Sequence, residues 1–183
     1  MSSKDKSPWI TLSSKTVYEN NWIRVNHEDV ITPSGTEGIY GVVHFKTHAV
    51  GVIPIDDDGN TWLVKQTRYT LKQPSWEIPE GGSPEGEDIL ETAKRELEEE
   101  CGLKATNWEK LISIHTSNSV TDEAGTVFVA KGLSPGRQTL EETEDIELQK
   151  LPLKDAVQMV IDGEITDSLS IAGLLRIGLD HNK

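Results

Sequence analysis

Residues 81–103, "GGSPEGEDILETAKRELEEECGL", limit what this chain can become more than any other stretch. Ile89, Ala93, Leu97 and Cys101 recur at every fourth position, with Leu90 beside them, the pattern of a helix laid on a core. Ser83 reads as its N-cap and Pro84 as a first-turn residue, where a missing N–H costs nothing. Gly102 suits the left-handed position that follows a helix. The other face is awkward: Glu96 stands three residues before Glu99 and four before Glu100, so three carboxylates share one side. Each like-charged pair costs about 0.2–0.5 kcal/mol, and the C-terminal end of the helix dipole is already negative. Only Lys94 and Arg95 lie close in sequence to offset this. Two readings follow. One is a solvated, glutamate-rich surface helix. The other is a site for a hard divalent cation such as Mg²⁺, which takes carboxylate oxygens, water and substrate phosphates as ligands.

The rest of the chain narrows the setting. Its 183 residues fit one domain able to bury a sizeable core. No run of about 18 apolar residues exists to span a membrane, and "MSSKDKSPW" lacks the apolar centre of a secretory signal and reads as a loose tail. Cys101 is the single cysteine, which suits a reducing compartment and makes the cytoplasm the expected location. Against 18 Lys and Arg stand 31 Asp and Glu, a net charge of −13. That disfavours nucleic acid and anionic membranes as partners. A phosphorylated small molecule remains open, provided that arginines or a metal supply positive charge.

Along the chain, residues 21–30 and 38–46 read as strands with a Pro–Gly turn between them. Residues 48–55 and 61–69 flank "DDDGN", a hairpin signal. That acidic turn lacks the EF-hand spacing, since Pro54 stands where the first ligand belongs. Residues 144–153 read as a further strand. Two amphipathic helices close the chain, one with Val157, Val160 and Ile161 on its apolar face and one marked by Leu169, Leu174 and Leu175. The five histidines show no zinc-ligand spacing, and Cys101, inside the apolar stripe, reads as packing.

The spacing of the glutamates goes further. Five residues separate Gly81 from Glu87 and seven separate Glu87 from Arg95; Glu96, Leu97, Glu99, Glu100, Gly102 and Leu103 follow. This resembles the Nudix box, Gly-x5-Glu-x7-Arg-Glu-(apolar)-x-Glu-Glu-x-Gly-(apolar), at every fixed position. The resemblance implies an α/β fold, the Nudix α/β/α sandwich with a mixed β-sheet, here with an N-terminal antiparallel strand region. It implies metal ligation by Glu96, Glu99 and Glu100, joined by Glu80 through its carbonyl. Arg95 would hold the glutamates, Glu87 would buttress the loop through Arg95, and Gly81 and Gly102 would be structural.

The flanks "HAVGVIPIDDDGNTWLVKQTRY", "WEIPEGG" and "DSLSIAGLL" resemble the ADP-ribose pyrophosphatase and nucleoside-diphosphate-sugar branch of that family. On this resemblance Arg68 binds the substrate diphosphate, Glu144 is a further metal ligand, and Glu142 is the general base, with Glu99 and Glu123 as alternatives. Tyr40 or Trp22 would stack on the nucleobase. The implied organisation is a single domain over 1–183: a flexible lead-in over 1–16, strands at a homodimer interface over 17–47, and a core over 48–183. The implied reaction is Mg²⁺-dependent (or Mn²⁺-dependent) hydrolysis of a nucleoside diphosphate sugar of the GDP-mannose, UDP-glucose or ADP-ribose type. The products are a nucleoside monophosphate and a sugar phosphate. Dinucleoside polyphosphates are the alternative substrate, and a non-catalytic Nudix sensor the alternative role. One departure matters: sixteen residues after Gly102 the ADP-ribose hydrolases carry proline, and here Asn118 stands. That shifts the expectation toward the other nucleotide sugars.

Overall fold

A computed structural model describes residues 7–140 and 145–181. The chain divides into two compact units, Met1–Thr47 with Ser117–Glu123, and His48–Thr116 with Ala124–Lys183.

The first unit is an antiparallel sheet of β1 (Ile10–Glu19), β2 (Ile23–Ile31) and β3 (Glu37–Phe45), in that order. Residues 10–16 are therefore strand, where a flexible lead-in was expected. Hydroxyls bind β1 to β2, with Ser13 Oγ donating to Asp29 Oδ2 at 2.6 Å, Ser14 Oγ to Glu28 Oε1 at 2.9 Å and Thr16 Oγ1 to Asn26 Oδ1 at 3.0 Å. Such polar cross-strand pairs stabilise a strand that buries none of its side chains. Residues 117–123 lie along β3. Val43 N–H donates to Val120 C=O, Tyr40 Oη to Ser119 C=O, and Asp122 accepts from His44 Nδ1 and Phe45 N–H.

The second unit holds β4 (Thr47–Pro54), β5 (Asn60–Arg68), β6 (Gln73–Glu77), β7 (Glu80–Pro84), α1 (Ile89–Cys101), β8 (Leu103–His115), β9 (Ala124–Pro135), β10 (Glu147–Pro152), α2 (Leu153–Ile161) and α3 (Ser168–His181). Its two sheets run β10-β5-β6 and β7-β4-β9-β8. β4 pairs parallel with β9, while β8 pairs antiparallel with it, so this sheet is mixed. β4 and β9 are apolar on both faces, as doubly covered strands are. Val50, Val52, Phe128 and Ala130 pack with Ala93, Leu97 and Cys101 of α1, and Ile53, Val127 and Val129 pack with Ala156 and Val160 of α2 and Leu169 and Leu174 of α3. Helices thus cover both faces, as an α/β/α sandwich requires.

Three local expectations change. "DDDGN" does form a tight turn, with Gly59 N–H on Asp56 C=O at 3.1 Å, but β4 and β5 enter different sheets and form no hairpin ladder. The reason is burial: Val50, Val52 and Ile53 are all 0 % exposed, which a two-stranded hairpin cannot provide. In α2 the buried residues are Leu153, Ala156 and Val160, with Ile161 exposed; in α3 Leu169 and Leu174 are buried and Leu175 is not. The cap of α1 is Asp88, whose side chain accepts the Leu90 N–H at 2.8 Å, because Ser83 and Pro84 belong to β7. Gly102 closes the helix at φ 64°, its N–H on Glu98 C=O. The Ser83 hydroxyl is buried with no hydrogen-bond partner among the described residues. Asp88→Ala is therefore expected to cost about 1 kcal/mol of stability, and Ser83→Ala to leave stability unchanged or raise it, since it deletes an unsatisfied hydroxyl. Denaturant melts of the two variants against the parent check this.

Candidate active site

Two of the three glutamates on the acidic face of α1 are buried, and Glu99 is half-buried. Glu96 is 6 % and Glu100 1 % exposed, and both lie against residues 78–81, the turn after β6 together with the first two residues of β7. Glu100 Oε2 accepts the Glu80 N–H at 2.9 Å. A Cβ placed on Gly81 would stand 2.0 Å from Glu96 Oε1, so only glycine leaves room for that carboxylate. The helix end that looked badly placed for acidic groups is packed against backbone that needs them.

Arg95 serves the same cluster. Its Nη1 pairs with Glu96 Oε1 at 2.8 Å and Glu99 Oε2 at 2.9 Å, and its Nε lies 3.8 Å from Glu87 Oε1. Partial burial works against the Arg95 cation, but Glu96 and Glu99 outweigh it and hold its pKa above the ordinary value.

Arg68, at the end of β5, is committed to two carboxylates. Its Nε reaches both Glu77 oxygens, at 2.9 and 3.0 Å, and its Nη2 bonds Glu77 Oε2 and, at 2.8 Å, Glu80 Oε1. Burial opposes this cation too, yet Glu77, Glu80 and Asp167 together raise its pKa. Glu80 shows the converse. Burial first, then the charges of Asp167 and Glu77, push its carboxyl well above the usual range, with Arg68 opposing and Glu100 adding to the push. Its Oε2 is buried without a hydrogen-bond partner among the described residues. Burial, then Glu100, also pushes the Cys101 thiol up, leaving it a packing group rather than a nucleophile.

Among the described residues no three acidic, histidine or cysteine side chains stand in a metal-enclosing arrangement; Arg95 instead bridges Glu96 and Glu99. The donor chemistry nonetheless fits a hard cation. The side-chain donors of Glu96, Glu99 and Glu100 are carboxylate oxygens, two of these glutamates are nearly buried, and Glu80 Oε2 faces no donor among the described residues. Cations of this class bind oxygen ligands and keep several waters.

The second unit thus brings together Arg68, Glu80, Gly81, Glu87, Arg95, Glu96, Glu99 and Glu100. Trp22, Tyr40 and Glu123 belong to the first unit. There Trp22 is 67 % exposed, while Tyr40 holds residues 117–123 through its hydroxyl and meets Trp9 edge-to-face at 5.6 Å. The Glu123 N–H lies 3.3 Å from Thr121 Oγ1. Glu142 and Glu144 lie outside the described residues.

Three residues of the network were not singled out from the sequence: Glu77, Asp167 and Ser170. Glu77 is 2 % exposed, on the buried side of β6 with Ser75. Asp167 precedes α3, and its Oδ2 accepts the Ser170 N–H at 2.8 Å and the Ser170 hydroxyl at 2.9 Å. "DSLS" carried the available signal: an Asp three residues before a Ser at the start of an apolar run is an N-cap pattern.

Comparison with known proteins shows the family and the fold. The NUDIX domain family matches residues 46–168, and the nucleoside diphosphate sugar hydrolase N-terminal domain matches residues 9–43. The chain is 36 % identical over 171 residues to the ADP-ribose pyrophosphatase of Mycobacterium tuberculosis, covering 91 % of this chain and 82 % of that protein. It is 34 % identical over 173 residues to the methanol dehydrogenase activator of Bacillus methanolicus, covering 93 % of each. It is also 34 % identical over 160 residues to the ADP-ribose pyrophosphatase of Bacillus subtilis, covering 86 % of each. A solved structure of an ADP compounds hydrolase shares the fold, with a TM-score of 0.84 at 22 % identity over 96 % of this chain and 95 % of that one.

Proposed function

The chain is a pyrophosphatase of the Nudix family, in its ADP-ribose pyrophosphatase and nucleoside diphosphate sugar hydrolase branch, and on that premise we propose that it splits the diphosphate of ADP-ribose in a Mg²⁺-dependent reaction. The observation that carries the reading is the buried glutamate pair Glu96 and Glu100, set against the Glu80–Gly81 backbone in an intact box. Asn118, in place of the family's proline, pointed toward other nucleotide sugars; relatives named for ADP-ribose, at 34–36 % identity, favour ADP-ribose. GDP-mannose and UDP-glucose are the nearest competing substrates.

Glu96, Glu99, Glu100, Glu144 and the Glu80 carbonyl would hold the metal. When bound, a divalent ion neutralises charge on the diphosphate and acidifies the attacking water. Water adds to one phosphorus in line, the bridging P–O bond breaks, and the leaving phosphate keeps the electron pair. A carboxylate takes the water proton; Glu142 is our first choice, with Glu99 and Glu123 as alternatives. Arg68, freed in part from Glu77 or Glu80, supplies charge-assisted bonds to the phosphates. Burial, Asp167 and Glu77 favour this, because all three work against the Glu80 carboxylate that holds the guanidinium. We also read the protein as a homodimer. The first unit exposes Ile10, Leu12, Val17 and Ile39, a strand surface that a second copy would cover, and sedimentation of the purified chain tests this.

The deciding experiment is a substrate panel of ADP-ribose, GDP-mannose, UDP-glucose and diadenosine polyphosphates with Mg²⁺ or Mn²⁺, run in ¹⁸O-water. ADP-ribose is expected to give the highest kcat/KM, yielding AMP and ribose 5-phosphate with label on one of the two new phosphates. A higher kcat/KM on GDP-mannose or UDP-glucose would reassign the substrate within the branch. No hydrolysis of any of the four would leave the sensor reading in its place.

A further inference from the structure

The turn at residues 78–81 is pinned from three directions through consecutive backbone groups. Ile78 N–H donates to Ser170 Oγ of α3 at 2.9 Å, Pro79 C=O accepts from Val52 N–H of β4 at 2.8 Å, and Glu80 N–H donates to Glu100 Oε2 of α1. Ile78 sits on bare backbone: a Cβ on Gly51 would lie 2.6 Å from its Cδ1. The turn therefore has no room to move toward β4. On the α3 side it is held by the Ser170 hydroxyl, with Ile78 buried in the same core cluster as Leu169 and Leu174.

That hydroxyl both donates and accepts. A serine Oγ has one proton and two lone pairs. The proton goes to Asp167 Oδ2, which leaves a lone pair for the Ile78 N–H. Ser170 is 0 % exposed. We propose that Ser170, aligned by Asp167, is a positioning residue for the box: it holds the turn where Glu80 anchors Glu100 and Gly81 receives Glu96. Ser170 touches no reacting atom; it acts through the backbone of residues 78–81. The proposal rests on the reading of Glu96 and Glu100 as metal ligands. It is separable from helix capping, because the bond from the Ser170 N–H to Asp167 does not involve the hydroxyl.

The test is Mn²⁺ binding to the metal-free full chain, followed by the electron paramagnetic resonance of free Mn²⁺. Ser170→Ala is expected to weaken Mn²⁺ binding about tenfold, the usual scale for losing a group that orients ligands, and Ser170→Thr, which keeps the acceptor, to restore it. A folded Ser170→Ala protein that binds Mn²⁺ as tightly as the parent overturns the proposal. If Ser170→Ala does not fold, Ser170→Cys fills the same space with a weak acceptor; an intermediate affinity supports the proposal and a parental one overturns it. A parent chain that binds no Mn²⁺ overturns the metal reading itself, an outcome distinct from equal binding by parent and variant.

Discussion

Glu100→Gln is expected to lower kcat about a hundredfold or more while leaving the metal-free protein as stable as the parent, or more so. The expected loss exceeds that for groups that merely orient ligands, which is about 10–100-fold, because Glu100 is itself read as a ligand. The stability side is equally specific. Glu100 is 1 % exposed, and a buried charge is costly unless it is compensated. Glutamine keeps the shape and a carbonyl oxygen for the Glu80 N–H, while it removes one negative charge from a neighbourhood that holds Glu80, Glu96 and Glu99. A site arranged for function commonly gives up stability in this way. Paired measurements decide the matter: steady-state rates on ADP-ribose and thermal melts without metal. Parental rates in Glu100→Gln would remove it from the metal site, and a large drop in melting temperature would make it a structural carboxylate instead.

What the sequence disclosed follows from how local each feature is. Gly81, Glu87, Arg95, Glu96, Glu99, Glu100 and Gly102 lie close together in sequence, and within the helix the spacing of Glu96, Glu99 and Glu100 alone puts those three on a shared face. The apolar stripe of α1 was legible for the same reason. Strand partners were not. The alternation along β4 does not say that β9 pairs parallel with it rather than β5 antiparallel, because that choice depends on which strands can cover both of its faces. The start of α1 was misplaced, since Ser83 satisfies a cap pattern, and only the pairing of β7 in the β4 sheet takes Ser83 into a strand and leaves the cap to Asp88. Contacts across long separations were the least accessible. Ser170 and Ile78 are 92 residues apart in sequence, and nothing local marks the pair. Glu77 was hidden by its strand: a carboxylate after Trp76 reads as solvent-facing until Arg68 arrives beside it.

Arg68→Ala carries the largest expected effect on stability, about 3 kcal/mol at neutral pH. Breaking a buried ion pair by removing one partner costs roughly 3–5 kcal/mol because it strands the other charge. Arg68 is 36 % exposed while Glu77 is 2 % exposed, so water relieves part of the loss and the lower end applies. The loss should shrink in acid. The carboxyl of Glu80 is already pushed up by burial, Asp167 and Glu77, against the opposing pull of Arg68. Without Arg68 it rises further, so the folded variant takes up its proton at a higher pH than the folded parent does. A folded state that binds protons more readily than the unfolded chain gains stability as pH falls. Melts at pH 5 and pH 8 should therefore show a smaller gap between variant and parent at pH 5. Arg68→Lys should recover only part of the loss, since an ammonium cannot reproduce the forked contact with Glu77 and Glu80. A second variant separates stability from catalysis. Arg68→Ala with Glu77→Gln removes the stranded charge and should regain much of the stability, giving a double change smaller than the sum of the singles. Its KM for ADP-ribose should stay raised, because no guanidinium remains for the diphosphate. A double variant that recovers both stability and parental KM would leave Arg68 as a partner of Glu77 alone, with no part in binding substrate.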